Sequence, residues 1–185
     1  MARHDKAVLR AAVRRAAGSA AELAEESRRI CCHVLNWDGY LRAETVGAYM
    51  PMAHEADILP VLEDALRRGK RLALPLCGRP PEMSFRLVRD LAQLRTGRYG
   101  IPEPDAAAPA VPPEEINMLL TPLEGIDAAG MRLGKGGGYY DCLLARHRLP
   151  CLGVALSWQW VDSLPHDEWD QPLTAVVDAR GIHMF

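Results

Sequence analysis

The sequence predicts an α/β protein in one domain, residues 1–185, with a mainly parallel central sheet covered by helices on both faces. Short apolar runs at 45–50, 116–120 and 151–157 alternate with segments of helical periodicity. That alternation links parallel strands through crossovers, and strands buried on both faces read as unbroken apolar runs. A chain of 185 residues can bury one proper core, and no internal repeat divides it.

Each element has a local reason. Residues 5–17 carry helix formers, with Leu9, Val13 and Ala16 on one face. Ser19 and Glu22 stand at capping-box spacing before a second helix that should run to Asn36. Residues 45–50 form a buried strand, Asp57 can cap the next helix, and Gly69 closes it. Strands follow at 71–76 and, with partial alternation, at 83–88. The proline- and alanine-rich stretch 100–115 reads as a loop. The strand at 116–120 then leads into a glycine-rich run and a helix from Tyr139 to Arg146. After the strand at 151–157, Val176-Val177 and residues 182–185 form a closing hairpin across Asp178-Ala179-Arg180-Gly181.

The glycine-rich run carries the functional signal. Arg132-Leu133-Gly134-Lys135-Gly136-Gly137-Gly138-Tyr139-Tyr140-Asp141 places four glycines among two cations, two aromatics and a carboxylate. Glycines let backbone N–H groups approach a ligand closely, and a following helix N-terminus favours an anion. Asp141 is suited to a divalent metal beside the same phosphates. The run matches neither G-x-x-x-x-G-K-[ST] nor a dinucleotide fingerprint. A plain flexible turn is the alternative, but such turns seldom combine these residue types.

Composition excludes other classes. The net charge of −2 implies no general attraction to nucleic acid or anionic membrane. The charged start, Arg3-His4-Asp5-Lys6, leaves no secretory signal, and no apolar stretch would span a bilayer, so a cytoplasmic location is expected. Five cysteines without C-x-x-C spacing suit a reducing compartment, not a disulfide framework or a zinc site.

In such a sheet, ligands bind beyond the carboxyl ends of the strands, here the loops after Met50, Leu76 and Leu120. In the first loop Asp57 has a structural use as a cap, so Glu55 is the better functional candidate and His54 reads as a polar loop residue. Tyr99 has two open readings, stacking on a flat ligand or packing within its loop. Lys6, Arg10 and Arg14 form a basic stripe at i, i+4 and i+8, which by spacing alone reads as a solvated face.

Together these segments resemble the 5-formyltetrahydrofolate cyclo-ligase family. The resemblance runs nearly end to end through Lys6-x-x-Leu9-Arg10, Tyr49-Met50-Pro51 with Glu55-x-Asp57, and Gly100-Ile101-Pro102-Glu103-Pro104. Its most specific part is Gly130-x-Arg132-Leu133-Gly134-x-Gly136-x-Gly138-Tyr139-Tyr140-Asp141, and Asp170-x-Pro172-Leu173 resembles the C-terminal segment. The resemblance implies a three-layer, Rossmann-like α/β/α fold. It also implies ATP- and Mg²⁺-dependent conversion of 5-formyltetrahydrofolate to 5,10-methenyltetrahydrofolate, with ADP and phosphate released. ATP would be held by Lys6, Arg10, Arg132, Leu133, Gly134, Lys135, Gly136, Gly137, Gly138, Tyr139 and Tyr140. Of these, Arg132, Lys135 and Tyr140 would take part in catalysis. The folate would meet Met50, Glu55 and Tyr99, and the metal Asp141 and Asp170. No nucleic acid or membrane partner is expected, and the chain should be a monomer or weak dimer.

The chain departs from the family pattern in several places. Pro122-Leu123-Glu124-Gly125-Ile126-Asp127 stands where Pro-Gly-x-Ala-Phe-Asp is usual, and Asn117 where an Asp is usual. Lys135 replaces a common Tyr, Gly137 a second basic residue of some members, Trp169 a frequent His, and Asp178 a common Thr. The alternatives to the cyclo-ligase are a non-catalytic folate-binding homologue and an ATP-dependent enzyme acting on another small formyl or carboxylate substrate.

Overall fold

The computed structural model describes residues 2–185, with side chains from Asp5 onward. The side chains of Arg3 and His4 therefore lie outside the described residues. The chain begins with α1 (Ala2–Arg15), α2 (Ala20–Leu35) and a short α3 (Asp38–Arg42). Then come β1 (Thr45–Gly47), α4 (Leu59–Arg67), β2 (Arg71–Cys77) and β3 (Met83–Val88). The two-residue strands β4 (Arg95–Thr96), β5 (Pro102–Glu103) and β6 (Ala110–Val111) precede β7 (Met118–Pro122), and the two-residue β8 (Gly125–Ile126) follows it. The chain ends with β9 (Arg132–Leu133), α5 (Tyr139–Arg146), β10 (Cys151–Val154), β11 (Ala175–Asp178) and β12 (Gly181–Met184).

The sequence rules account for the clearest boundaries. At the start of α2 the Glu22 N–H donates to Ser19 Oγ at 3.3 Å, and Glu22 Oε2 accepts the Ser19 N–H at 2.7 Å. At the end of α4, Gly69 adopts φ +73°, its N–H donates to Leu66, and Lys70 donates to Ala65. Those two bonds are a Schellman cap. Ile58 occupies the N-cap position of α4, yet Asp57 still caps in effect, accepting the Leu59 N–H at 3.0 Å.

The main sheet has the order β12-β11-β10-β7-β1-β2-β3-β6. Its five central strands, β11 to β2, pair in parallel, and β12, β3 and β6 add antiparallel edges. Strand residues alternate between two cores. Leu72, Leu74, Met118, Leu120, Ala175 and Val177 face the core shared with α2 and α4. Ala73, Leu119 and Val176 face the other, shared with Leu143 of α5. The expected three layers follow from this period-2 burial on both faces.

Four expectations are corrected. The strand expected at 45–50 ends at Gly47, although the Ala48 N–H still donates to Ala73. The strand expected at 116–120 sits two residues later, because Ile116 closes a 3₁₀ turn. The strand expected at 151–157 stops at Val154, and residues 157–159 turn as a 3₁₀ segment. The glycine run does not leave the sheet directly. A hairpin, β8 with β9, intervenes around Asp127, whose Oδ1 accepts the Ala129 and Met131 N–H groups at 3.0 Å each.

The chain leaves β1 toward β2 on one side and returns to β7 on the other. The switch point therefore lies between β1 and β7, where the open crevice of a parallel sheet takes its ligand. Among the described residues, no helix is long and apolar enough to cross a membrane.

Candidate active site

The glycine loop is suspended between β9 and α5 above that crevice. Gly136 and Gly138 adopt φ +95° and +70°, in the left-handed region that favours glycine. Gly138 is also the N-cap of α5, and no side chain caps that end. The N-terminus of α5 thus keeps its donors for an anion.

Arg132 lies beneath the loop with its side chain only 2% exposed. Its Nη2 donates to Asp141 Oδ1 at 2.5 Å, and its guanidinium carbon lies 5.4 Å from the Tyr140 ring centre. Its Nε and Nη1 are buried without an acceptor. Buried unpaired donors of a cation are costly in a purely structural role. Leu133 is buried against Met131, Leu164 and Leu9, which docks α1 on the hairpin.

From α1, the Arg10 Nε donates to the Gly134 carbonyl at 2.7 Å. Lys6, one turn earlier, pairs with Asp170 at 2.5 Å and Asp167 at 3.1 Å. Burial opposes its charge, but the hydrogen bonds to Asp170 and Asp167 outweigh it and hold the ammonium above its ordinary value. The stripe that spacing alone assigned to solvent therefore faces the loop and the C-terminal segment.

The folate-side candidates reach the same place. Glu55 is buried, and its Oε2 accepts the Met52 N–H at 2.8 Å. Its Oε1 forms an ion pair with Lys135 Nζ at 2.7 Å, without an aligned hydrogen bond. Tyr99 sits at the tip of the β4–β5 hairpin, 60% exposed and at φ +62°. That conformation is uncommon for a bulky residue and concentrates at functional sites. Its hydroxyl lies 3.4 Å from that of Tyr139, which donates to Gly78 at the end of β2 at 3.1 Å. Burial and the Tyr99 hydrogen bond push the Tyr139 phenol up to about 12, while Tyr139 and Arg98 lower that of Tyr99. Burial raises the Tyr140 phenol, so it can serve only as a neutral donor. Met50 is half-buried and packs against the main core beneath the loop.

The two metal candidates belong to different ion pairs. Asp141 holds Arg132 and Asp170 holds Lys6. Among the described residues, no group of three or more His, Cys, Asp or Glu could hold a metal on its own.

Sequence reasoning missed a buried carboxylate, Glu124, just after β7. It is 2% exposed and joins Arg14 of α1 at 3.1 Å to His54 of the β1 loop at 3.2 Å. Burial works against its ionisation, but Arg14 and His54 outweigh burial and lower its pKa. An acid within an apolar stretch, and a third cation in the α1 stripe, were the available signals.

Comparison with known proteins gives consistent matches. Residues 2–179 match the model of the 5-formyltetrahydrofolate cyclo-ligase family. The 5-formyltetrahydrofolate cyclo-ligase of Escherichia coli K12 is 31% identical over 159 residues, covering 83% of this chain and 87% of the relative. The NMR structure of Aquifex aeolicus 5,10-methenyltetrahydrofolate synthetase superposes with a TM-score of 0.86 at 31% identity, over 97% of this chain and 92% of that one. The Mycoplasma pneumoniae 5,10-methenyltetrahydrofolate synthetase gives 0.75 at 25% identity, over 95% and 99%.

Proposed function

The chain belongs to the 5-formyltetrahydrofolate cyclo-ligase family, and from that premise we propose that it closes 5-formyltetrahydrofolate to 5,10-methenyltetrahydrofolate, driven by ATP. The observation that carries this reading is the contact between Lys135 of the glycine loop and Glu55 of the β1 loop. It brings a phosphate-type cradle against a buried carboxylate that would turn to a hydrogen-bonding heterocycle once phosphate draws Lys135 away.

The chemistry needs that adjacency. A formamide carbonyl is a poor electrophile, and its oxygen leaves poorly as hydroxide. Transfer of the γ-phosphoryl to the formyl oxygen breaks the β–γ bridge, releases ADP and makes the oxygen a leaving group. The N10 lone pair then attacks the formyl carbon, N10 gives up its proton, and the C–O bond breaks to free phosphate. Phosphoryl transfer depends mainly on position and on neutralising charge. The free Arg132 nitrogens, Lys135 and the N-terminus of α5 would hold the triphosphate, with Arg10 fixing the loop backbone. Glu55 would accept hydrogen bonds from the pterin, and Tyr99 would cover it.

Asp141 and Asp170 fit a magnesium ion held mainly through phosphate oxygens. Each engages one oxygen in an ion pair, and Mg²⁺ commonly uses only one or two carboxylates beside phosphate and water. When bound, the ion would neutralise and orient the phosphates.

The test is the near-ultraviolet absorbance of the methenyl product. Product that needs 5-formyltetrahydrofolate, ATP and magnesium together supports the reading. Binding of the folate without turnover overturns it in favour of a binding protein.

A further inference from the structure

We infer that Glu124 is a positioning residue that couples the nucleotide and folate half-sites, an inference that rests on the reading of those half-sites given above. Four contacts radiate from its surroundings. Its backbone N–H donates to the Leu133 carbonyl at 2.7 Å, at the entrance to the glycine loop. Its Oε2 accepts from Arg14, one helical turn past Arg10, and Arg10 itself donates to Gly134. Its Oε1 lies 3.2 Å from His54 Nε2, and His54 is the neighbour of Glu55. Glu55 in turn meets Lys135, the next residue of the glycine loop.

These contacts close a ring through Glu124, Arg14, Arg10, Gly134, Lys135, Glu55 and His54. Four segments enter it: α1, the β1 loop, the turn between β7 and β8, and the glycine loop. Displacing Lys135 from Glu55, as an arriving triphosphate would, shifts a loop already tied through His54 and Glu124 to α1. Burial lowers the Arg10 pKa, and the Glu124 charge acts against that shift. The position stands inside a segment where this chain departs from the family pattern. A buried ion pair is weak evidence for stability, because desolvation offsets most of the attraction. A role in fixing geometry accounts better for a carboxylate that joins the two sides of a site.

The experiment is calorimetric titration of 5-formyltetrahydrofolate with and without magnesium and a non-hydrolysable ATP analogue. It compares the unaltered chain, Glu124→Gln and Arg14→Gln. Arg14 is 58% exposed, so its variant keeps the fold even if the buried substitution does not. In the unaltered chain the nucleotide should change folate affinity by about fivefold or more, the lower end of ordinary coupling. In both variants that ratio should fall to near one. A merely structural role would lower Tm or both affinities and leave the ratio intact, and an intact ratio in the variants overturns the inference alone. A ratio of one in the unaltered chain overturns it as well. Failure of the unaltered chain to bind either ligand overturns the reading of the site itself.

Discussion

Arg132→Met separates a ligand-binding cation from a structural one. The guanidinium presents two buried nitrogens without acceptors, Nε and Nη1. If both bond phosphate oxygens, two charge-assisted bonds at about 1.5–3 kcal/mol each give roughly 3–6 kcal/mol. The variant should then lose about 10²- to 10⁴-fold in kcat/KM for ATP. Stability moves differently. Removing two unmet donors relieves about 2–6 kcal/mol, while stripping Asp141 of its partner costs about 3–5 kcal/mol. These nearly cancel, so Tm without ligand should stay within about 5 °C of the parent.

The assay is thermal unfolding with and without magnesium and the ATP analogue, beside steady-state kinetics. At a hundredfold excess over Kd the nucleotide stabilises the unaltered chain by about 2.7 kcal/mol, or roughly 5–10 °C. The variant should show no such shift. A Tm fall beyond about 10 °C with the Michaelis constant for ATP unchanged would refute the reasoning and make Arg132 a structural partner of Asp141.

Three further outcomes are expected. Glu55→Gln should raise the Michaelis constant for the folate about tenfold and affect that for ATP less, because a charge-assisted bond becomes a neutral one; an unchanged folate constant removes Glu55 from the pterin contact. Asp141→Asn should cut kcat by about 10² or more while sparing folate binding, and full activity across a magnesium titration would end its metal role. At Asp178, burial opposes ionisation, but Arg180 and His183 outweigh it and bring the carboxyl from an ordinary 3.8 down to about 2. A depressed carboxyl stabilises the fold above its unfolded pKa, so about 2 kcal/mol should be present above pH 4 and vanish as pH falls through about 2; Asp178→Asn should show a flatter Tm profile over that range, and parallel profiles would contradict the assignment.

What was legible in the sequence was local. The Ser19–Glu22 box, the Gly69 cap and the Asp178–Gly181 hairpin each depend on residues within a few positions, and each formed. The antiparallel pairing of β2 with β3 was not legible, because the partial alternation of residues 83–88 marks a half-buried strand without naming its neighbour or direction. Nor was the β8–β9 hairpin, whose two-residue strands carry no period. At the site the glycine loop announced itself, whereas its partners come from distant parts of the chain. Lys6 with Asp170 spans 164 positions and Arg14 with Glu124 spans 110. A basic stripe on one helix cannot show which acid will face it.

The irregular features of the molecule concentrate at one end of the sheet. Away from the crevice, two buried carboxylates are well satisfied: Asp64 holds Tyr40, Arg67 and Arg68, and Asp178 holds Trp160, Arg180 and His183. At the crevice lie three of the five buried side-chain atoms without a hydrogen-bond partner among the described residues, from Glu55 and Arg132, while the N-terminus of α5 has no side-chain cap and Tyr99 takes a left-handed backbone. Each of these would be unfavourable in a purely structural role. The two groups are also complementary, since Nε and Nη1 of Arg132 lack acceptors and Glu55 Oε1 meets only the Lys135 ammonium, without an aligned hydrogen bond. A phosphate satisfies the first and a heterocyclic N–H the second. These costs therefore favour two ligands of opposite hydrogen-bonding character, as joining an ATP phosphate to a formylated folate would require.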